Sequence, residues 1–222
     1  MGYVFAFDAI LDYWPVLAKG VGLTLLLIAV GGTGGLALGL LCAWIRSFAA
    51  PWLRAPVAAY VELIRNTPFL IQLFFIFFGL PAAGVQLGEL QAACLAMIAN
   101  LGAYSAEIIR AGIQATPRGQ YEAGASLAMS RLQVFRHVVL APAMARIWPA
   151  LSSQVVIVML GSAVCSQIAV EELSFAANFI QSRNFRAFEA YFVVTAIYLA
   201  LALLVRQCLA LLGRQLFRGP GL

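Results

Sequence analysis

The sequence predicts an all-α integral membrane protein of five transmembrane helices, with its N-terminus outside the membrane and its C-terminus in the cytoplasm. Three observations lead there. Of 222 residues, 63% are hydrophobic and only 10% charged, far from the balance of a soluble domain. Five apolar runs are each long enough to cross roughly 30 Å of hydrocarbon as helix. The arginines gather in alternate connections between these runs, and that alternation sets one orientation.

Span one covers residues 20–45, an uncharged stretch between Lys19 and Arg46. Its Gly31-Gly-Thr-Gly-Gly35 and Gly39 leave room for a neighbouring helix to approach closely. Asp8 and Asp12 precede it and no basic segment does, which argues for a retained span over a cleaved signal. Ser47 to Arg54, with Pro51, reads as a turn. Span two, 57–80, carries Glu62, Arg65, Asn66, Thr67 and Pro68 in its first half. Glu62 and Arg65 are three residues apart and are expected to pair on one helical face. Pro68 weakens the backbone ladder just beyond them.

An uncharged connection from Pro81 to Gly88 leads to span three, 90–112, which holds Asn100, Tyr104, Glu107 and Arg110 toward its end. Span four, 147–170, contains Pro149, Gln154, Ser162, Ser166 and Gln167. Residues 171–189 read as a polar connection, and span five covers 190–212. The connections assigned to the inside hold Arg46, Arg54, a cluster of arginines after span three, and Arg214 and Arg218 in the tail. The outer ones hold Lys19, Arg183 and Arg186 against Asp8, Asp12, Glu89, Glu171, Glu172 and Glu189. All five spans agree with that orientation.

The whole chain, 1–222, reads as one multi-pass domain interrupted by a structured loop, 116–142. Arg118, Arg131 and Arg136 lie in that loop with Arg110 and Arg146 at its flanks, and Glu122 is its single acid. Thr116 is placed to cap a helix beginning at Pro117 and running over about 118–128. Ser130 is placed to cap a second helix, 131–140, ending where Pro142 lacks a donor. A loop that served topology alone could be short and unstructured.

Several functions are excluded or unsupported. The net charge is +5, but the arginines stand singly between apolar runs and form no nucleic-acid patch. Cys42, Cys94, Cys165 and Cys208 show neither CxxC nor Cys/His spacing, so no disulfide and no metal site are expected. His137, the one histidine, has no ligand-type neighbour. The one lysine, Lys19, is followed by Gly20, so the chain cannot supply a standard phosphate-binding loop for ATP. No nucleophile and base are clustered, and an enzymatic site is unsupported. Polar residues within spans are costly unless they pair or face a cavity. The pathway candidates are therefore Glu62, Asn66, Thr67, Asn100, Tyr104 and Glu107, with Gln154 and Ser162 on span four. For Glu107 a contact with a substrate's cationic group is expected.

At the loop, Gly119-Gln-Tyr-Glu-Ala123 is followed by Phe135-Arg136, Val138-Val139-Leu140 and Pro149. Elsewhere stand Glu62-Leu-Ile-Arg-Asn-Thr-Pro-Phe-Leu-Ile-Gln-Leu73, Gly102-Ala-Tyr-Ser-Ala-Glu-Ile-Ile-Arg110, Ile168-Ala-Val-Glu-Glu-Leu173 and Asn184-Phe-Arg-Ala-Phe-Glu189. In order and spacing these resemble the permease subunits of ATP-binding-cassette (ABC) importers, in particular the family taking up polar amino acids and opines. The resemblance implies a type I permease fold and a bacterial inner-membrane location. It makes 116–142 the cytoplasmic coupling ("EAA") loop between helices 3 and 4, with Arg118, Gln120, Glu122, Ala123 and Ala128 toward the ATPase. It further implies two ATPase subunits that bind ATP and Mg, a second identical or paralogous permease, a periplasmic or extracellular solute-binding protein, and surrounding lipid. No cofactor is expected in this chain.

Departures from the family pattern are definite. Where relatives usually place glycine, this chain has Ala128, expected to pack without a positive φ. Leu140-Ala141-Pro142 carries its proline one position late, and Arg146 is shifted with it. Ser153 and Leu160-Gly161-Ser162-Ala163 replace patterns common in span four of relatives. Two other classes stand beside this reading: a carrier or channel working without ATP, and an assembly subunit with no pathway of its own.

Overall fold

The computed structural model describes residues 5–217; Arg218 and the side chain of Arg131 lie outside what it describes. After a short turn of helix at Asp8–Leu11, the chain forms α1 (Trp14–Phe48), α2 (Pro51–Arg65), α3 (Phe69–Ala82), α4 (Glu89–Gln114) and α5 (Arg118–Ser126). A continuous helical run, α6, follows: Arg131–Gln133, a widened π-type turn at Val134–Val139, Leu140–Gly161, and a tightened 3₁₀ end at Ser162–Ile168. α7 (Leu173–Asn184) and α8 (Ala187–Leu216) complete it. Among the described residues, four helices are long and apolar enough to cross a membrane, or there are five spans if α2 and α3 are counted as one bent span.

α1 and α4 are the central pair. Their glycines are what bring them together: a methyl group added at Gly39 would meet the Ser105 Cβ at 2.5 Å. Close backbone approach maximises dispersion contact where apolar lipid offers no hydrophobic drive. Leu27, Met97, Leu101 and Met159 are fully buried in the seam they form with α6.

The structure corrects the sequence reading in four places. Span two is not one helix over 57–80: α2 and α3 meet at 115° across Asn66–Pro68. Pro68 has no N–H to continue the ladder and leaves the Ile64 carbonyl without its helical donor, while the Asn66 amide and Thr67 hydroxyl bond the last-turn carbonyls of Glu62 and Leu63 at 2.8 Å each. Pro142 does not end a loop helix, because α6 runs through it; the widened turn lies over the Val138 carbonyl, where the ring would otherwise clash. Thr116 is buried rather than capping, and α5 begins after Pro117 with no side-chain cap.

The fourth correction concerns 171–189, which is not merely a solvated connection. α7 buries Leu173, Ala176, Ala177 and Ile180, the one-sided spacing of an amphipathic helix. Glu172 is fully buried as its N-cap, accepting from the N–H groups of Ser174 at 2.7 Å and Phe175 at 3.1 Å. Burial pushes the Glu172 carboxyl above the usual range, and these donors and Tyr198 hold it down in part. Glu189, also fully buried, accepts from the Ala6 N–H at 3.0 Å and from Arg186 at 3.2 Å.

Candidate functional site: a cleft at the helix break and a loop beneath it

The 115° break between α2 and α3 is stitched by one side chain. The amide of Gln72, nearly fully buried, donates to the carbonyls of Ile64 at 2.7 Å and Thr67 at 2.9 Å. Its oxygen accepts from the Asn100 amide of α4 at 2.9 Å. The break thus satisfies groups that lipid would leave bare. Sequence reasoning missed Gln72 as a site residue, although a glutamine four positions after Pro68 in an apolar helix was the available signal.

Beside this stitch opens a cleft of about 450 Å³. Thr67, Asn100, Tyr104 and Gln154 line it together with Pro68 and Phe69. Four of the predicted pathway residues, one from the break and three from α4 and α6, therefore meet at one place. Asn66 does not line it; its side chain is spent on the end of α2. Ser162 is fully buried behind it, toward Tyr198.

The charged candidates fall elsewhere. Glu62 is exposed and, among the described residues, makes no ion pair; the expected pair with Arg65 is absent. Arg65 instead lays its guanidinium over the Tyr104 ring, 5.6 Å from the centroid. Glu107 is shared by Arg110 and by Arg46, the latter at 2.6 Å, and it does not line the cleft. Its charge is already compensated by two guanidiniums, so a substrate cation would have to compete with both.

At one end of the bundle lies the loop. α5 packs on the widened turn of α6 through Gly124, where an added Cβ would stand 2.7 Å from Val134. The end of α5 is a Schellman motif: Met129 N–H bonds to the Gly124 carbonyl at 3.1 Å and Ala128 N–H to the Ala125 carbonyl at 2.9 Å. That motif needs a left-handed residue, and Ala128 supplies it with φ of 54°. The expectation of a strain-free Ala128 is overturned; the alanine takes the backbone shape a glycine would take and pays for it with its Cβ. Ser130 and Gln133 cap the next helix reciprocally, Ser130 N–H donating to Gln133 at 2.8 Å. Arg146 donates to the Ala115 carbonyl at 3.1 Å and so fastens α6 to the end of α4.

On α5, Glu122 and Ala123 are exposed, as are Arg118, which stands beside the ends of α1, α2 and α4, and Leu127 at 76%. Gln120 is half-buried, with its side-chain oxygen unbonded. An apolar bundle with a cleft at a break that gathers four polar side chains, joined through one continuous helix to a structured loop, fits the transmembrane part of a solute transporter.

The chain belongs to the family of binding-protein-dependent transport system inner membrane components, whose pattern matches residues 35–218. It is 35% identical over 215 residues to the glutamine transport system permease protein GlnP of Escherichia coli K12, covering 96% of this chain and 98% of that protein. It is 37% identical over 173 residues to the L-cystine transport system permease protein TcyB of Bacillus subtilis, covering 78% of this chain and 74% of that one. Among solved structures, an amino acid ABC transporter with histidines superposes with a TM-score of 0.86 at 35% identity, covering 96% of this chain and all of that chain. The chain is thus a multi-pass inner-membrane permease subunit of an ABC importer and performs no catalysis itself; an ATPase and a binding protein are its partners.

Proposed function

We propose that this permease carries a polar amino acid, or a related opine, inward through the cleft at the α2–α3 break. The convergence of Thr67, Asn100, Tyr104 and Gln154 on that cleft is the observation that carries the reading. Relatives named for glutamine and cystine, and a solved relative holding histidines, support an amino-acid cargo. Amide and hydroxyl groups can bond an ammonium, a carboxylate and a polar side chain at once. Among the described residues no carboxylate lines the cleft, so a cationic side chain finds no counter-charge from them there.

The chain sits with its N-terminus outside and its C-terminus in the cytoplasm, α2 and α3 forming one of five spans. Lys19 pairs with Glu171 at the end assigned outside, while Arg46, Arg54, Arg110 and Arg118 gather at the other. A solute-binding protein delivers cargo from outside. Residues 116–142 are the coupling loop, in which α5 docks on an ATPase through Arg118, Gln120, Glu122 and Ala123, Ala128 setting its end. Two ATPases, which bind ATP and Mg, serve two permeases, identical or paralogous. Closing of the ATPases moves α5; α6 passes the displacement to Gln154, and the cleft faces alternate sides. Glu107 is assigned to holding α1 and α4 together, not to cargo.

The test is ATP-driven uptake of labelled amino acids by the purified complex in proteoliposomes, with the binding protein supplied. Gln154→Ala should raise the apparent KM roughly tenfold, the loss of one hydrogen bond to a charged group. An unchanged KM in that variant would remove the cleft from the pathway.

A further inference from the structure

Four arginines, one from each of four helices, line a single pocket of about 500 Å³: Arg46 at the end of α1, Arg54 at the start of α2, Arg110 near the end of α4 and Arg118 at the start of α5. Among the described residues no acidic side chain lines it. The Glu107 carboxylate, bonded to Arg46 and Arg110, is the one negative charge these arginines share. Among the described residues neither Arg54 nor Arg118 has a carboxylate partner, so four guanidiniums face one carboxylate. Ser47, also in the lining, has its hydroxyl buried without a hydrogen-bond partner. Charge bias accounts for arginines on this side of a membrane, but not for their meeting around one volume with a hydroxyl in reserve.

We propose that this pocket holds the phosphate of an acidic phospholipid headgroup. Guanidiniums are planar donors matched to phosphate oxygens, and several converging on one site select a multiply accepting anion over a lone carboxylate. The membrane is favoured as the source by the rim. Trp52, 74% exposed, and Leu53 stand in the first turn of α2 beside Arg54. An exposed Trp next to arginine at the end of a span is the arrangement found at headgroup level. Apolar Phe48 and Ile113 share the lining, suiting the glycerol end of a lipid better than a fully hydrated ion. The bound phosphate would tie the start of the coupling helix, through Arg118, to the ends of α1, α2 and α4. Acidic lipid then becomes part of the mechanical link between ATPase and bundle. This rests on the reading that places the loop in the cytoplasm.

The permease is purified with its co-purifying subunits in mild detergent, given equimolar phosphatidylglycerol and phosphatidylcholine, and the lipid retained on the permease chain is weighed by native mass spectrometry. The expected result is a preference of about tenfold for phosphatidylglycerol, the size one or two surface arginines supply. Arg54→Gln should bring the ratio near unity, and Arg54→Lys should keep most of it. Equal retention by the wild type, or a preference unchanged in Arg54→Gln, overturns the proposal. Loss of the preference when millimolar inorganic phosphate is added assigns the pocket to a free anion and overturns the lipid source. Loss of a co-purifying ATPase in Arg54→Gln would show a protein contact and also overturn it. Retention is read on the permease's own mass, so it stands or falls separately from the presence of an ATPase.

Discussion

The cleft and the loop each gather polar side chains in an apolar chain, yet those groups are engaged in opposite ways. At the cleft, Gln72, Asn66, Thr67 and Asn100 are bonded within the molecule and hold a break that would otherwise bare backbone to lipid. At the loop, Glu122 and Leu127 face out, Gln120 has an unbonded oxygen, and Ala128 bears positive φ. A substrate site must be preorganised before its cargo arrives, so its framework is completed from inside. The coupling surface proposed for the loop would be completed by another protein, to which its exposed side chains are open. If this contrast holds, substitutions in the loop should uncouple without unfolding, and substitutions in the stitch should unfold before they uncouple.

The largest expected effect is at Glu122. Reversing its charge with Glu122→Lys should lower ATP-driven uptake roughly 100-fold, the scale for a charge opposed across an interface. Membrane insertion and the melting temperature of the permease should not change. Normal uptake would show that α5 is not the transmission surface, and a collapsed yield would blur the distinction between the two regions.

Next comes Gln72→Ala. It orphans two carbonyls and the Asn100 amide at once, and each buried unsatisfied group costs about 1–3 kcal/mol. Folded yield and thermal stability should fall sharply, with the surviving protein keeping its substrate preference. A stable Gln72→Ala with altered preference would instead make Gln72 a cargo ligand. Glu107→Gln tests the same border from the other side. Freed from one shared charge, Arg46 and Arg110 should repel, at a cost of about 2 kcal/mol, while apparent affinity and preference remain. A changed preference would restore Glu107 to the pathway.

The contrast was only partly legible in the sequence. The four long apolar helices and four polar residues of the cleft followed from hydropathy and from the cost of polar groups in lipid, because those forces act on each residue singly. Pairing did not follow. Glu62 and Arg65 share a helical face, but Arg65 finds the Tyr104 ring of α4, and Glu107 finds Arg46 across 61 positions of sequence. Proline was legible as a weakness and not as a geometry: Pro68 turns the chain by 115° whereas Pro142 is absorbed by a widened turn. What decides between them is whether capping groups such as Asn66 and Thr67 stand beside the proline. α7 was hidden for a different reason, since Glu172 and Glu189 look solvated in a string of letters and are in fact buried.

The smallest expected effect is also the sharpest. Ala128 occupies the left-handed position of the Schellman motif, where an L side chain costs about 1 kcal/mol relative to glycine. Ala128→Gly removes that cost but widens the conformations open to the unfolded loop, which offsets part of the gain. The net should be a stabilisation of under about 1 kcal/mol confined to the end of α5. It is best read as slower hydrogen exchange at Met129, whose N–H closes the motif, with global melting unchanged. Ala128→Val should move exchange there the opposite way, because a β-branched residue tolerates positive φ less well than alanine. If Ala128→Gly also slows uptake, then the strain is part of how the loop yields to the ATPase. If uptake is unaffected, the loop is only a surface, and whatever bistability the transporter has must lie in the helices above it.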